Sequence, residues 1–178
     1  MIEIQDFYTF PVFANIPQSK LVALKDRSTV QEFGPEEFIF KQNDAADFLY
    51  GLLEGEIELQ VVFRDKFLET DIEYEESVIN TMHNVDRPLV LETLEKGDLL
   101  GWSSMVGNER YTAAAMAVKP TRVFEIKARI LRSILDADPD IGYVFMNHLS
   151  EMINVRLNWQ IEKLLKSWVE AFGTNRVV

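Results

Sequence analysis

The sequence predicts a mainly β fold, an antiparallel jelly-roll barrel flanked by a short N-terminal helix and a long C-terminal helix. Two observations predict it. From Val30 to about Leu59 short apolar runs alternate with turn residues, the pattern of an antiparallel barrel. After Lys127 the apolar period changes from two to three or four residues and stays there almost to the end of the chain.

Residues 16–27, IPQSKLVALKDR, predict the first helix, with Pro17 in its first turn and Leu21, Val22 and Leu24 as its apolar stripe. The stretch GPEEFIFKQNDAADFLYGLLEGEIEL then holds three strands, FIF, FLYGLL and IEL. Gly34-Pro35, Asn43-Asp44 and Glu54-Gly55 separate them, with Asn43 and Gly55 expected at positive φ. In residues 67–75, FLETDIEYE, Leu68, Thr70, Ile72 and Tyr74 share one side, and Glu69, Asp71, Glu73 and Glu75 share the other. This predicts a half-buried strand with an acidic outer face. The preceding RDK is read as the turn of a hairpin, and residues 76–87 as polar and irregular. PLVLETL, at 88–94, is another strand, and residues 113–126 supply the last two around Pro120. KARILRSILD, at 127–136, predicts a short helix. Asp138-Pro139 opens the long one, which ends near Gly173 and carries Ile153, Leu157, Ile161, Leu164, Leu165, Trp168 and Phe172 in one stripe.

With 178 residues, 47% hydrophobic and 26% charged, the chain has the composition of a globular domain with a sizeable core. It contains no cysteine, which leaves no disulfides, thiolate metal sites or thiol catalysis, and fits a cytoplasmic setting. The first residues, MIEIQDFYTF, lack the basic start and apolar core of a secretory signal, and no apolar run is long enough for a bilayer. Eighteen basic against 29 acidic residues give a net charge of -11. No dense basic cluster breaks that acidity, so direct nucleic-acid binding is not expected.

The order of elements, and the motifs along it, resemble the cyclic-nucleotide-binding domain, in particular the effector domain of Crp/Fnr-type regulators. FKQNDAADFLYGLLEGEIEL is similar to the family's phenylalanine, Gln-Gly-Asp, Leu-Tyr and final Gly pattern. Gly97-Asp98-Leu99-Leu100-Gly101 resembles its Gly-Asp-x-x-Gly, and Thr112-Ala113, Ala117 and VFEI at 123–126 follow in register. The resemblance covers about residues 13–172. It implies a stand-alone, non-enzymatic regulatory domain: a barrel over residues 1–135 and a dimerisation helix within 136–178, with no DNA-binding domain.

The resemblance also places the ligand site. In the family a glutamate after Gly-Asp-x-x-Gly accepts a hydrogen bond from the ribose hydroxyl. A short helix then aims its N–H groups at the cyclic phosphate, and an arginine ahead of a small residue and Ala neutralises it. Here the glutamate position is Trp102 and the arginine position is Tyr111, with Arg110 one residue early. The two lost charged hydrogen bonds are worth about 1.5–3 kcal/mol each. Together that is about two to four decades of affinity.

The candidate cassette is therefore Gly101, Trp102, Ser103, Ser104, Arg110, Tyr111, Thr112 and Ala113. Hydroxyls stand at the helix start, and two aromatic rings are placed to stack a planar ligand. The expectation is a sensor or adaptor that does not bind cAMP or cGMP in the usual way. It takes either no ligand or a small anionic or planar one. Two alternatives are a true cyclic-nucleotide regulator using Arg110, and a transcription regulator acting through a partner. If the cavity is otherwise intact, restoring Glu at 102 and Arg at 111 should raise cyclic-nucleotide affinity.

Other chemistry finds little support. Metal-dependent jelly-roll enzymes need clustered histidines, and the chain has only His83 and His148, far apart. No metal or catalytic residue is therefore expected. Ile153, Leu157, Ile161, Leu164 and Trp168 are the candidate homodimer seam, and the acidic hairpin at 65–76 is a candidate face for a basic protein partner.

Overall fold

The computed structural model describes residues 2–74, 77–107 and 109–173, and within 63–86 the backbone alone. Two short helices, α1 (Ile4–Phe7) and α2 (Gln18–Lys25), flank a 3-10 turn at Pro11–Phe13. Eight strands follow: β1 (Ser28–Phe33), β2 (Phe38–Phe40), β3 (Phe48–Glu54), β4 (Ile57–Tyr74), β5 (Ser77–Leu94), β6 (Leu99–Leu100), β7 (Ala114–Ala117) and β8 (Thr121–Lys127). Helices α3 (Ala128–Ala137) and α4 (Pro139–Phe172) complete the chain. The strands form two four-stranded antiparallel sheets, β1-β8-β3-β6 and β2-β7-β4-β5, which makes the expected jelly roll.

Turn chemistry acts where the sequence placed it. Asn43 sits at φ 70° and Gly55 at φ 104°. At Gly55 a Cβ would meet the Thr121 Oγ1 at 2.3 Å, so glycine is needed there for space as well as for its φ. Helix α2 differs in one detail. Leu21 and Leu24 are buried, whereas Val22 is 42% exposed, because it lies about 100° round the helix from Leu21.

The larger correction concerns the hairpin. RDK is not a turn: Arg64, Asp65 and Lys66 lie within β4, opposite Asp86, Val85 and Asn84 of β5. Residues 77–87, read as irregular, belong to β5. Charge alone does not break a strand. RDK has no residue suited to positive φ, while Val78, Ile79, Thr81 and Val85 supply the β-branched character of a strand. Beyond Gln60, β4 pairs with β5 alone among the described residues. The acidic face expected at 65–76 rests on side chains outside those described.

Two clusters make up the core. One lies inside the barrel and contains Phe40, Tyr50, Leu52, Ile57, Leu94, Leu100, Tyr111, Ala115 and Val123. The other joins the barrel to its helices. Phe7, Phe10 and Phe13 of the N-terminal segment pack on Phe124 of β8, on Leu131 and Leu135 of α3, and on Phe145 and Leu149 of α4. The Phe7–Phe13 and Phe10–Phe124 rings meet edge to face, with centroids 5.1 and 5.0 Å apart. Phe13–Phe145, at 5.6 Å, carries the packing onto the long helix. This anchor fixes where α4 leaves the barrel and which face it turns back toward the sheet.

Candidate ligand-binding site

A cavity of about 250 Å³ lies between the barrel and α4. Gly101, Trp102, Ser103, Tyr111, Thr112 and Ala113 line one side, with Phe40 and Leu59 behind them. Leu91 and Glu92 of β5 form a second wall, and Ile153, Arg156, Leu157 and Gln160 of α4 form the roof. Six of the eight candidate cassette residues therefore meet here. Ser104 and Arg110 are not among the lining residues.

Gly101 turns the chain into the cradle. At φ 74° it leads into a single 3-10 turn, Trp102–Ser104, and a Cβ here would stand 2.9 Å from the Phe48 carbonyl. Ser104 is buried beside the cradle, and its carbonyl accepts a hydrogen bond from Arg132 of α3.

Tyr111 and Arg110 point opposite ways, as neighbours in extended chain do. Arg110 is exposed and donates from Nη1 to the Asn43 carbonyl at 2.6 Å. Tyr111 is only 3% exposed. Its hydroxyl donates to the Phe48 carbonyl at 2.8 Å and accepts from the Phe48 N–H at 3.1 Å. The ring stacks on Phe40 at a 3.9 Å centroid distance, and Phe40 stacks on Tyr50 at 5.6 Å. Burial raises the phenols of Tyr111 and Tyr50 above the ordinary tyrosine range, so both stay neutral. A neutral aromatic stack with its hydroxyl spent on the backbone occupies the place from which a cation would face a phosphate.

The charges in this cavity come from elsewhere. In β5, Glu92 pairs with Leu59 and Val90 pairs with Gln60, so Leu91 is an extra residue. Such a bulge breaks the alternation of side chains, and Leu91 and Glu92 both reach the cavity. It also frees the Leu91 carbonyl, which accepts from Gln160 Nε2 at 3.2 Å and from Lys163 Nζ at 2.9 Å. Arg156, about three helical turns beyond Phe145 and two beyond Leu149, approaches Glu92 Oε2 with Nε at 2.9 Å. It also donates from Nη1 to the Leu99 carbonyl at 3.3 Å. Their side chains retain 11% and 19% exposure.

The Nε–H does not point squarely at Glu92, and Oε2 is a buried acceptor left without a hydrogen bond. Burial raises the Glu92 carboxyl above the ordinary glutamate range; Arg156 pulls it back, while Asp98 adds to the rise. The desolvation cost thus exceeds the pull of the cation.

The sign of the pH effect follows. A carboxyl with a raised folded pKa binds its proton more tightly folded than unfolded. Its contribution is full below the ordinary glutamate pKa and is lost as pH rises through the folded value. Glu92→Gln should therefore lose less stability than the parent as pH rises above the ordinary glutamate pKa, about 4. Thermal denaturation at stepped pH measures the difference in slope, and parallel slopes would refute it.

The candidate dimer seam divides. Ile153 and Leu157 line the cavity, Leu157 still 55% exposed, whereas Ile161, Leu164 and Trp168 lie beyond it at 44%, 68% and 61% exposure. Sequence reasoning missed Leu91, Glu92, Arg156 and Gln160. The helical position of Arg156, three residues after Ile153 in the apolar stripe, was the one available signal.

A jelly roll with a glycine-started cradle between β6 and β7, closed by a C-terminal helix, has the architecture of a regulatory effector domain. The family model described as "Cyclic nucleotide-binding domain" matches residues 30–138. The chain belongs to that family, whose domains regulate and do not catalyse.

Solved structures agree. A presumptive cyclic nucleotide-binding protein from Geobacter metallireducens is 27% identical with a TM-score of 0.65, over 88% of this chain and 99% of the other. A cyclic nucleotide-binding domain from Methylobacillus flagellatus shares 15% identity at a TM-score of 0.69, over 92% and 81%. The N-terminal domain of a transcriptional regulator from Streptomyces coelicolor shares 16% at 0.60, over 86% and 94%. The latter two speak for the fold alone. No curated protein matches the chain. Among the described residues, no helix is long and apolar enough to cross a membrane.

Proposed function

We propose that this chain is a non-enzymatic small-ligand sensor or adaptor that does not hold cAMP or cGMP in the usual way. One observation carries the reading: buried Tyr111, whose hydroxyl bonds both the N–H and the carbonyl of Phe48, stands where the family's phosphate-binding arginine is expected. Trp102 stands at the glutamate position, so neither charged contact to a cyclic nucleotide is available from the cassette. Arg110 does not supply one, since it faces the Asn43 carbonyl on the outside. The cavity that remains is bounded by aromatic and aliphatic groups and roofed by α4. A ligand there would touch the helix directly and bias its position.

The exposed apolar stripe of α4 beyond the cavity supports pairing of two copies through Ile161, Leu164 and Trp168. Ligand state would then reach the dimer through the same helix. Calorimetry with cAMP and cGMP, with mass spectrometry of copurifying small molecules, tests the ligand half. Flat titrations are expected, and micromolar binding of either nucleotide would overturn it. Light scattering tests the other half: a dimer is expected, with Leu164→Glu/Trp168→Glu shifting it to monomer.

A further inference from the structure

We infer that the cavity under α4 selects a neutral, planar small molecule that donates a hydrogen bond to Glu92. The inference rests on the reading of this cavity as a ligand site and names the class of ligand. Its walls are mostly apolar: Phe40, Leu59, Leu91, Trp102, Ala113, Ile153 and neighbours. Trp102, half-buried and lining the cavity, is an indole on which a flat ring can stack.

Polarity is what discriminates. The only charged residues among those lining the cavity are Glu92 and Arg156, and they neutralise each other at 2.9 Å. An anion would have to pull Arg156 from Glu92, leaving a buried carboxylate beside a second negative charge. The net charge of -11 adds repulsion on approach. A cation would meet the Arg156 guanidinium. A neutral ligand leaves the pair intact. What the pair lacks is a second donor: Arg156 Nε stands against Glu92 Oε2 at 2.9 Å, whereas the other carboxylate oxygen of this cavity-lining residue, Oε1, receives no hydrogen bond among the described residues. An N–H or O–H on the edge of a planar ligand supplies it, and a buried charged acceptor discriminates strongly against a ligand without a donor.

The cavity, at about 250 Å³, sits just below the range usual for small-molecule sites. It accommodates a bicyclic ring system, so indole is a suitable probe, with 1-methylindole as its donor-free counterpart and indole-3-carboxylate as its anionic one. Binding of each to the full chain is measured by calorimetry, with Trp102→Phe as a check on location. Indole is expected to bind at least tenfold more tightly than 1-methylindole, about 1.4 kcal/mol, and more tightly than the carboxylate. The preference should shrink in Glu92→Gln and vanish in Glu92→Leu/Arg156→Met, which removes both charges together and leaves no buried ion unpaired.

Equal binding of indole and 1-methylindole would overturn the inference while leaving the cavity a ligand site. Tightest binding of the carboxylate would make Arg156 the recognising group, and overturn it as well. Absence of binding by all three probes would remove the cavity as a site for planar ligands altogether.

Discussion

Tyr111→Ala is expected to lower the unfolding free energy by about 3–5 kcal/mol, the usual cost of emptying a large aromatic site in a core. The ring stacks on Phe40 and through it on Tyr50, so the void opens inside the barrel and not at its surface. Tyr111→Phe keeps the stack and removes only the hydroxyl. It should cost about 1–3 kcal/mol, because the Phe48 carbonyl loses its donor in a site that excludes water. Chemical denaturation separates the two, and near-equal losses would mean that the stack contributes little. The same geometry reverses an expectation drawn from the sequence. Arginine at 111 would bury a cation against the Phe40 and Tyr50 rings, so Trp102→Glu/Tyr111→Arg should destabilise the barrel before it gains a cyclic nucleotide.

Arg156→Ala ranks second, at about 3 kcal/mol. That is the low end for breaking a buried pair, since both side chains keep some contact with solvent. The loss has a location. Glu92 is left without its cation, and the Leu99 carbonyl without its donor, so the part of α4 over the cavity should loosen while the Phe145–Leu149 anchor holds. Hydrogen exchange should therefore rise in α4 beyond about Met152 and in β5 around Leu91, with little change in β8. Arg156→Ala combined with Glu92→Leu should recover much of the loss, because the unpaired carboxylate is removed. Failure to recover would show that Arg156 acts through its aliphatic packing and its bond to Leu99.

Much of the barrel was legible in the sequence because local chemistry decides it. Asn43 and Gly55 mark turns by the φ they tolerate, and FIF, FLYGLL and IEL announce strands by their short apolar runs. That Tyr111 and Arg110 face opposite ways follows from extended chain, but which of them turns inward is decided by Phe40 and Phe48, distant in sequence. What failed to show depends on distant partners. RDK resembles a turn by charge, yet strand pairing with residues 84–86 holds it extended. The N-terminal phenylalanines have no helical or strand period of their own, and their role exists only once β8 and α4 are beside them. Glu92 and Arg156 lie 64 positions apart and meet because α4 folds back over β5. No window of sequence contains both.

The bulge at Leu91 gives the site a dependence on number as well as on kind. In an uninterrupted ladder Leu91 and Glu92 would face opposite sides of the sheet; one supernumerary residue puts both under the helix and frees the carbonyl that Gln160 and Lys163 take. A relative could keep Trp102, Tyr111, Glu92 and Arg156 letter for letter and still have a different pocket if its fifth strand were one residue shorter. Substitution tables score such a pair as nearly the same protein. Insertions and deletions in this strand, which alignments place with least care, are therefore the changes by which ligand preference within such domains would drift fastest.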